Sequence, residues 1–114
     1  LNVIIESIKE KKGKNIVQIG LTELENAITD NFIICHGDST TQVEAIADYI
    51  EDKVRKDLSM KVKHVEGKRN AQWVLMDFTD VIIHIFLEPV RKNYNLEGLW
   101  ADGEFKLHED SLAK

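Results

Sequence analysis

The chain contains one cysteine and one proline, and aromatic residues fill only 7% of its 114 positions. Cys35 alone cannot build an internal disulfide framework, which points to a reducing compartment. It lies inside an apolar run and reads as an inert core thiol. No apolar run approaches the roughly 20 residues that a membrane-spanning helix needs, and no signal-peptide pattern opens the chain. The first residue is Leu1 rather than Met, so the natural start is expected to lie upstream. Catalytic signatures are equally sparse. There is no Walker loop, no G-x-G-x-x-G and no G-x-S-x-G elbow. His36, His64, His84 and His108 show no ligand spacing such as H-x-x-x-H, and Cys35 has no C-x-x-C partner. Neither a metal nor a cofactor is therefore expected. Positive charge is in deficit, with a net charge of −5. That argues against a nucleic-acid backbone as the main partner and suits a basic protein better.

A length of 114 residues with 43% hydrophobic side chains fits one domain that buries about two-thirds of its unfolded surface. The chain is organised around Gln72 to Trp100. Trp73–Met76 and Val81–Leu87 are strand-forming runs separated by Asp77-Phe78-Thr79-Asp80, which reads as a β-hairpin. The second run is apolar on both faces, as in a central strand covered on two sides. Pro89 ends it, and Val90–Trp100 reads as helical. If the turn holds an even number of residues, Trp73, Leu75 and Asp77 share a face with Ile82, His84 and Phe86. Val74, Met76, Val81, Ile83 and Ile85 then form a wholly apolar face. The first face mixes a Trp, a His and a carboxylate. It fits either a core edge, with the His bonded to a backbone carbonyl, or a surface for a partner.

The remaining chain reads in order as a helix over Leu1–Lys12 stopped by Gly13, strands at Ile16–Leu21 and Asn31–His36, a long helix over Thr40–Leu58, and a charged edge strand at Lys61–Glu66. Ser39 with Gln42 matches a capping box. The lysines from Lys9 to Lys14 read as a solvated helix end. Residues 101–114 form a polar tail without a convincing period, expected to be mobile or partner-dependent. The predicted architecture is α/β (α+β): a mixed sheet of about five strands with flanking helices, in which Asn31–His36, the long helix and Lys61–Glu66 make a parallel β-α-β unit. Gly37-Asp38-Ser39 at a helix start could hold a phosphate, as in a nucleotidyl-transferring enzyme. The following strand, however, has no Asp-x-Asp pair for magnesium, and Asp77 and Asp80 flank a turn.

Several stretches together resemble the ribosomal silencing factors, the RsfS or Iojap-like family. They are Ile28-Thr29-Asp30-Asn31-Phe32-Ile33-Ile34, Gln42 to Asp48, Val65-Glu66-Gly67, Trp73 to Asp77, Asp80 to Phe86, and Tyr94 to Trp100. The likeness runs from about Ile4 to Trp100, which makes residues 1–100 one domain, and leaves the tail uncovered. Cys35-His36 and Gly98 depart from the family pattern. The resemblance implies a nucleotidyltransferase-like fold without catalysis. It implies binding to the large ribosomal subunit through its protein L-fourteen, with little direct nucleic-acid contact and no membrane, so that subunit joining is blocked and translation falls when nutrients are short. Related organelle proteins act in large-subunit assembly. A bacterial cytoplasmic protein is expected, an organellar one being the alternative. The partner-contacting Trp of the family falls on Trp73, and Leu75, Asp77, His84 and Tyr94 join it as expected partner-binding residues. An edge strand such as Lys61–Glu66 can also pair with a second copy, giving a homodimer in the free state.

Overall fold

The computed structural model describes residues 1–24 and 27–108. Helix α1 (Asn2–Glu10) buries Ile4, Ile5 and Ile8 on one side. It ends at a tight turn where Gly13 N–H donates to the carbonyl of Ile8 at 2.9 Å. A Cβ on Gly13 would lie 2.3 Å from the Ile8 side chain, so only glycine fits this close approach. The turn feeds β1 (Lys14–Gly20), which is followed by β2 (Asn31–Gly37). Helix α2 spans Thr40–Leu58, the predicted range, and buries Val43, Ile46, Ala47, Ile50 and Val54 in a single stripe. Each fully buried Ile or Val of that stripe contributes about 1.5–3 kcal/mol relative to exposure. Strands β3 (His64–Glu66), β4 (Trp73–Asp77) and β5 (Val81–Leu87) follow, then helices α3 (Glu88–Tyr94) and α4 (Leu96–Leu99), and finally β6 (Glu104–His108).

The sheet has six strands in the order β3-β4-β5-β2-β1-β6. Only β2 and β5 pair in parallel; the other four ladders are antiparallel. The chain of pairings makes β2 and β3 run the same way, as expected of a β-α-β unit, but β5 and β4 lie between them. Strand β3 is an edge, also as expected, though shortened to His64–Glu66.

Three expectations are corrected. The sheet gains a sixth strand because Glu104–His108, read from sequence as patternless tail, pairs along β1 from Gly20 to Ile16. The remainder of that tail, 109–114, lies outside the described residues. The helix expected over Val90–Trp100 starts earlier, at Glu88 with Pro89 in its first turn, where a missing N–H costs nothing. It also breaks at Asn95, whose φ of 50° is left-handed and cannot continue a helix.

Two apolar clusters flank the sheet. Helices α1 and α2 cover Ile16, Ile33, Cys35, Val74, Met76, Val81, Ile83 and Ile85. The opposite face is thinner. Val17, Ile19, Phe32, Ile34, Ile82 and Phe86 are covered there by Leu21, Leu96 and, from positions only partly buried, Leu24, Val90 and Trp100. Among the described residues no helix is long and apolar enough to cross a membrane.

Candidate interaction surface on the thinly covered sheet face

The hairpin register decides this face. Trp73 lies opposite Phe86, Leu75 opposite His84, and Asp77 opposite Ile82. The turn closes with Phe78 N–H donating to the carbonyl of Val81 at 2.9 Å. An even count of residues therefore lies between paired positions, and the grouping expected for an even turn is the one that forms. The Asp77 side chain makes the turn possible: its Oδ1 accepts from Thr79 N–H at 2.7 Å, which holds Thr79 at a left-handed φ of 77°.

Trp73 is half-buried. Its ring lies against Phe86 with centroids 5.0 Å apart and against Tyr94 at 4.5 Å. Its Nε1–H donates to His84 Nδ1 at 3.0 Å. An indole N–H can only donate, so Nδ1 must be the unprotonated nitrogen and His84 is a neutral imidazole with its proton on Nε2. His84 is 4% exposed and packs edge-on with Phe32 at 4.8 Å. Burial pushes its pKa down to about 4. His84 Nε2 is buried with no hydrogen-bond partner among the described residues. In place of the backbone carbonyl of the core-edge reading, the hydrogen-bond partner of His84 is the Trp73 indole.

Tyr94 is the last residue of α3 and is 54% exposed. Its position depends on Arg91, which is only 7% exposed. Arg91 Nη1 bonds His36 Nδ1 at 2.9 Å and donates to the carbonyl of Lys14 at 3.4 Å, and Nη2 donates to Glu97 Oε2 at 3.0 Å. One guanidinium thus ties α3 and α4 to β1 and β2. Of the five residues expected at the site, Trp73, His84 and Tyr94 form one contiguous group. Leu75 stands beside His84 in the register, half-exposed. Asp77 lies at the hairpin end of the same face, where its carboxylate is engaged in the turn.

Sequence reasoning missed several participants. Phe32 and Ile34 join the face because β2 lies parallel to β5, with Phe32 beside Ile82 and Ile34 beside His84. Trp100 reaches it by packing edge-on against Phe32 at 5.3 Å. No local pattern announces that β2 neighbours β5. Arg91 carried one usable signal, a basic residue two positions after the only proline, inside a helix start.

The alternative site, the start of α2, is filled by the chain itself. Ser39 Oγ accepts from Gln42 N–H at 3.1 Å, and Gln42 Oε1 accepts from Asp38 N–H at 2.7 Å. Gln42 Nε2 donates to the carbonyls of Lys12 and Lys11 at 2.9 and 3.2 Å. Asp38 pairs with Lys14 at 2.7 Å, and this bond holds its carboxyl below the usual carboxylate range. Among the described residues no group of three His, Cys, Asp or Glu side chains is arranged to hold a metal ion.

These features agree with comparisons to known proteins. Residues 1–113 match the family model described as "Ribosomal silencing factor during starvation". The ribosomal silencing factor RsfS of Halalkalibacterium halodurans is 38% identical over 102 residues, covering 90% of this chain and 86% of that protein. The RsfS of Bacillus subtilis is 37% identical over 102 residues, covering 90% and 85%. A crystal structure of a Chromobacterium violaceum protein superposes with a TM-score of 0.82 at 29% identity, over 98% of this chain and 92% of that one. With the sheet, the flanking helices and nearly the full length of the chain accounted for, this protein belongs to the ribosomal silencing factor family.

Proposed function

We propose that the face formed by Trp73, Leu75, Asp77, His84 and Tyr94 binds the large ribosomal subunit through its protein L-fourteen, and that its occupation there keeps the small subunit from joining. The observation that carries this reading is the aromatic pair Trp73–Tyr94, in ring contact yet still partly open to solvent. Trp and Tyr are the usual anchors of protein interfaces, because they bring large area with few torsions to freeze. The hydrogen bond to His84 and the stack on Phe86 fix the indole before any partner arrives, so little ordering cost remains on binding. A net charge of −5 would steer the domain toward a basic ribosomal protein.

In this reading the protein is not an enzyme. The self-capped start of α2 and the Asp38 carboxylate beside it leave no welcoming place for a nucleotide phosphate. Its place of action is the bacterial cytoplasm, a reading supported by its bacterial relatives.

Sedimentation with purified large subunits tests the proposal. Tyr94→Ala touches an exposed ring, so the urea midpoint of the free domain should stay close to wild type. Binding should weaken by about 2 kcal/mol, roughly thirtyfold. A folded Tyr94→Ala variant that sediments normally and still blocks subunit joining would remove this face from the mechanism.

A further inference from the structure

The chain is acidic as a whole, yet one stretch has the opposite sign. Residues 61–69 carry Lys61, Lys63, Lys68 and Arg69 against the single carboxylate of Glu66, a net charge of +3 within a total of −5. They form β3 and the chain on either side of it, at one edge of the sheet. In register, His64 lies opposite Asp77 and Glu66 opposite Leu75, so β3 is the outermost strand of the face that carries Trp73. Cations elsewhere are neutralised close by. Lys53, Arg55 and Lys56 of α2 pair with Asp57 and Asp52, and Arg91 and Lys92 of α3 pair with Glu97 and Glu88. Lys68 is likewise tied to Asp48 of α2. Lys61, Lys63 and Arg69, by contrast, are exposed and have no ion-pair partner among the described residues. Glu66 itself has the imidazole of His64 3.4 Å away. Charge on an edge strand discourages stray pairing. That accounts for Lys63 and His64 but not for Arg69, which lies beyond the end of the strand.

From this we infer that the β3 edge makes a second contact in the same docking event, and that its ligand is the phosphate backbone of ribosomal RNA beside the protein partner. The inference rests on the large-subunit reading above. A protein partner basic enough to attract a domain of charge −5 is repelled by this edge, whereas a polyanion is drawn to it. Lysine and arginine are the usual contacts to phosphate oxygens, and they position a protein without reading sequence. Here they need break no internal ion pair to do so. Strand β3 covers about 10 Å at roughly 3.3 Å per residue, so Lys63 and Arg69, on either side of it, can meet different phosphates. The exposed carboxylates of Glu44 and Asp48 on α2 turn that side of the domain away from RNA. The two signs together fix the orientation in which the domain lands.

The test compares wild type with the triple variant Lys61→Gln, Lys63→Gln, Arg69→Gln. Affinity is measured for purified large subunits and for the isolated protein L-fourteen, at salt from about 50 to 200 mM. All three side chains are exposed, so the urea midpoint should not move. Three phosphate contacts steepen the fall of log affinity with log salt by about 2–3. Over that range the wild type should therefore lose about twenty- to fortyfold more affinity for subunits than the variant loses. Affinity for the isolated protein should not fall. Lys61→Arg with Lys63→Arg should bind subunits as wild type does. Lys63→Cys carrying a photoreactive label should cross-link to RNA, and the buried Cys35 should take no label. Equal salt slopes on subunits, a parallel loss on the isolated protein, or a cross-link to protein instead of RNA would each overturn the inference. A normal triple variant beside a weakened Tyr94→Ala removes the edge and keeps the aromatic face. A wild type that binds no subunits removes both.

Discussion

Acid should loosen this domain through His84. In the folded chain the imidazole is neutral, 4% exposed, and accepts the Trp73 indole N–H at Nδ1. Protonation would place a hydrogen where the indole hydrogen already points, and a charge where no water reaches. Hence the folded pKa of about 4, against an ordinary 6.5. Because the folded value is the lower one, the unfolded chain binds the proton more readily. The stabilising contribution is complete above pH 6.5 and is lost as the pH falls from 6.5 toward 4. Two and a half pH units correspond to about 3 kcal/mol in all, of which about 2 kcal/mol should be gone by pH 5. Urea unfolding at pH 7.5 and pH 5, compared between wild type and His84→Leu, isolates this residue from the other three histidines. Wild type should lose about 2 kcal/mol more than the variant. Trp73→Phe at pH 7.5 keeps the stacking but removes the donor, and should cost about 1–2 kcal/mol. Paired with His84→Leu in a double-mutant cycle, it should show a coupling of similar size. Equal pH slopes for wild type and His84→Leu would refute the buried neutral imidazole. A zero coupling energy would refute the indole–imidazole bond.

Gln42→Ala should cost about 1–2 kcal/mol, more than the ~1 kcal/mol expected of Ser39→Ala, because it releases both the Asp38 cap and the two carbonyls of the α1 turn. Urea midpoints of the two variants decide this, and a Gln42→Ala cost below that of Ser39→Ala would show the bridge to be idle. Arg91→Met should destabilise by about 2–3 kcal/mol, since it strips the buried partner from His36 and Glu97. Amide hydrogen exchange should quicken in α3 and α4 well before the β5 core, and uniform quickening would argue against a local staple.

The parts of this molecule that could be read from sequence are those set by short-range pattern. The Thr40–Leu58 helix follows from a stripe of Val43, Ile46, Ile50 and Val54 behind a Ser39 cap, while the left-handed Ser59 that closes it emerges only in the structure. The two faces of the hairpin follow from its turn, because a period of two leaves only one choice once the count is even. What could not be read was set by distant partners. Strand β6 was overlooked because Phe105 and Leu107 bury little, and a strand held mainly by backbone pairing to β1 leaves no strong hydropathy signal. The break at Asn95 was missed because Asn tolerates both helical and left-handed backbone. The face shared by Trp73, Leu75, Asp77, Ile82, His84 and Phe86 was legible from the hairpin register, yet Phe32, Trp100 and Arg91 enter only through the β2–β5 adjacency and the packing of α3 and α4.

The half-buried state of Trp73 removes the choice between core residue and exposed anchor. Truncating it to Ala would strip a stack from Phe86 and a donor from His84, so a loss of binding could not be told from a loss of fold. This also bears on why a histidine occupies the position beside Leu75. Its Nε2–H is buried without a partner among the described residues, and an unmet donor costs about 1–3 kcal/mol. A leucine of similar volume would avoid that penalty and complete the apolar cluster around Phe32 and Ile34. A leucine, however, offers nothing to the indole N–H, and the Trp73 ring would then be held by stacking alone, free to turn toward solvent. Under the proposed partner face, holding that ring in one orientation would present a shape already set before binding.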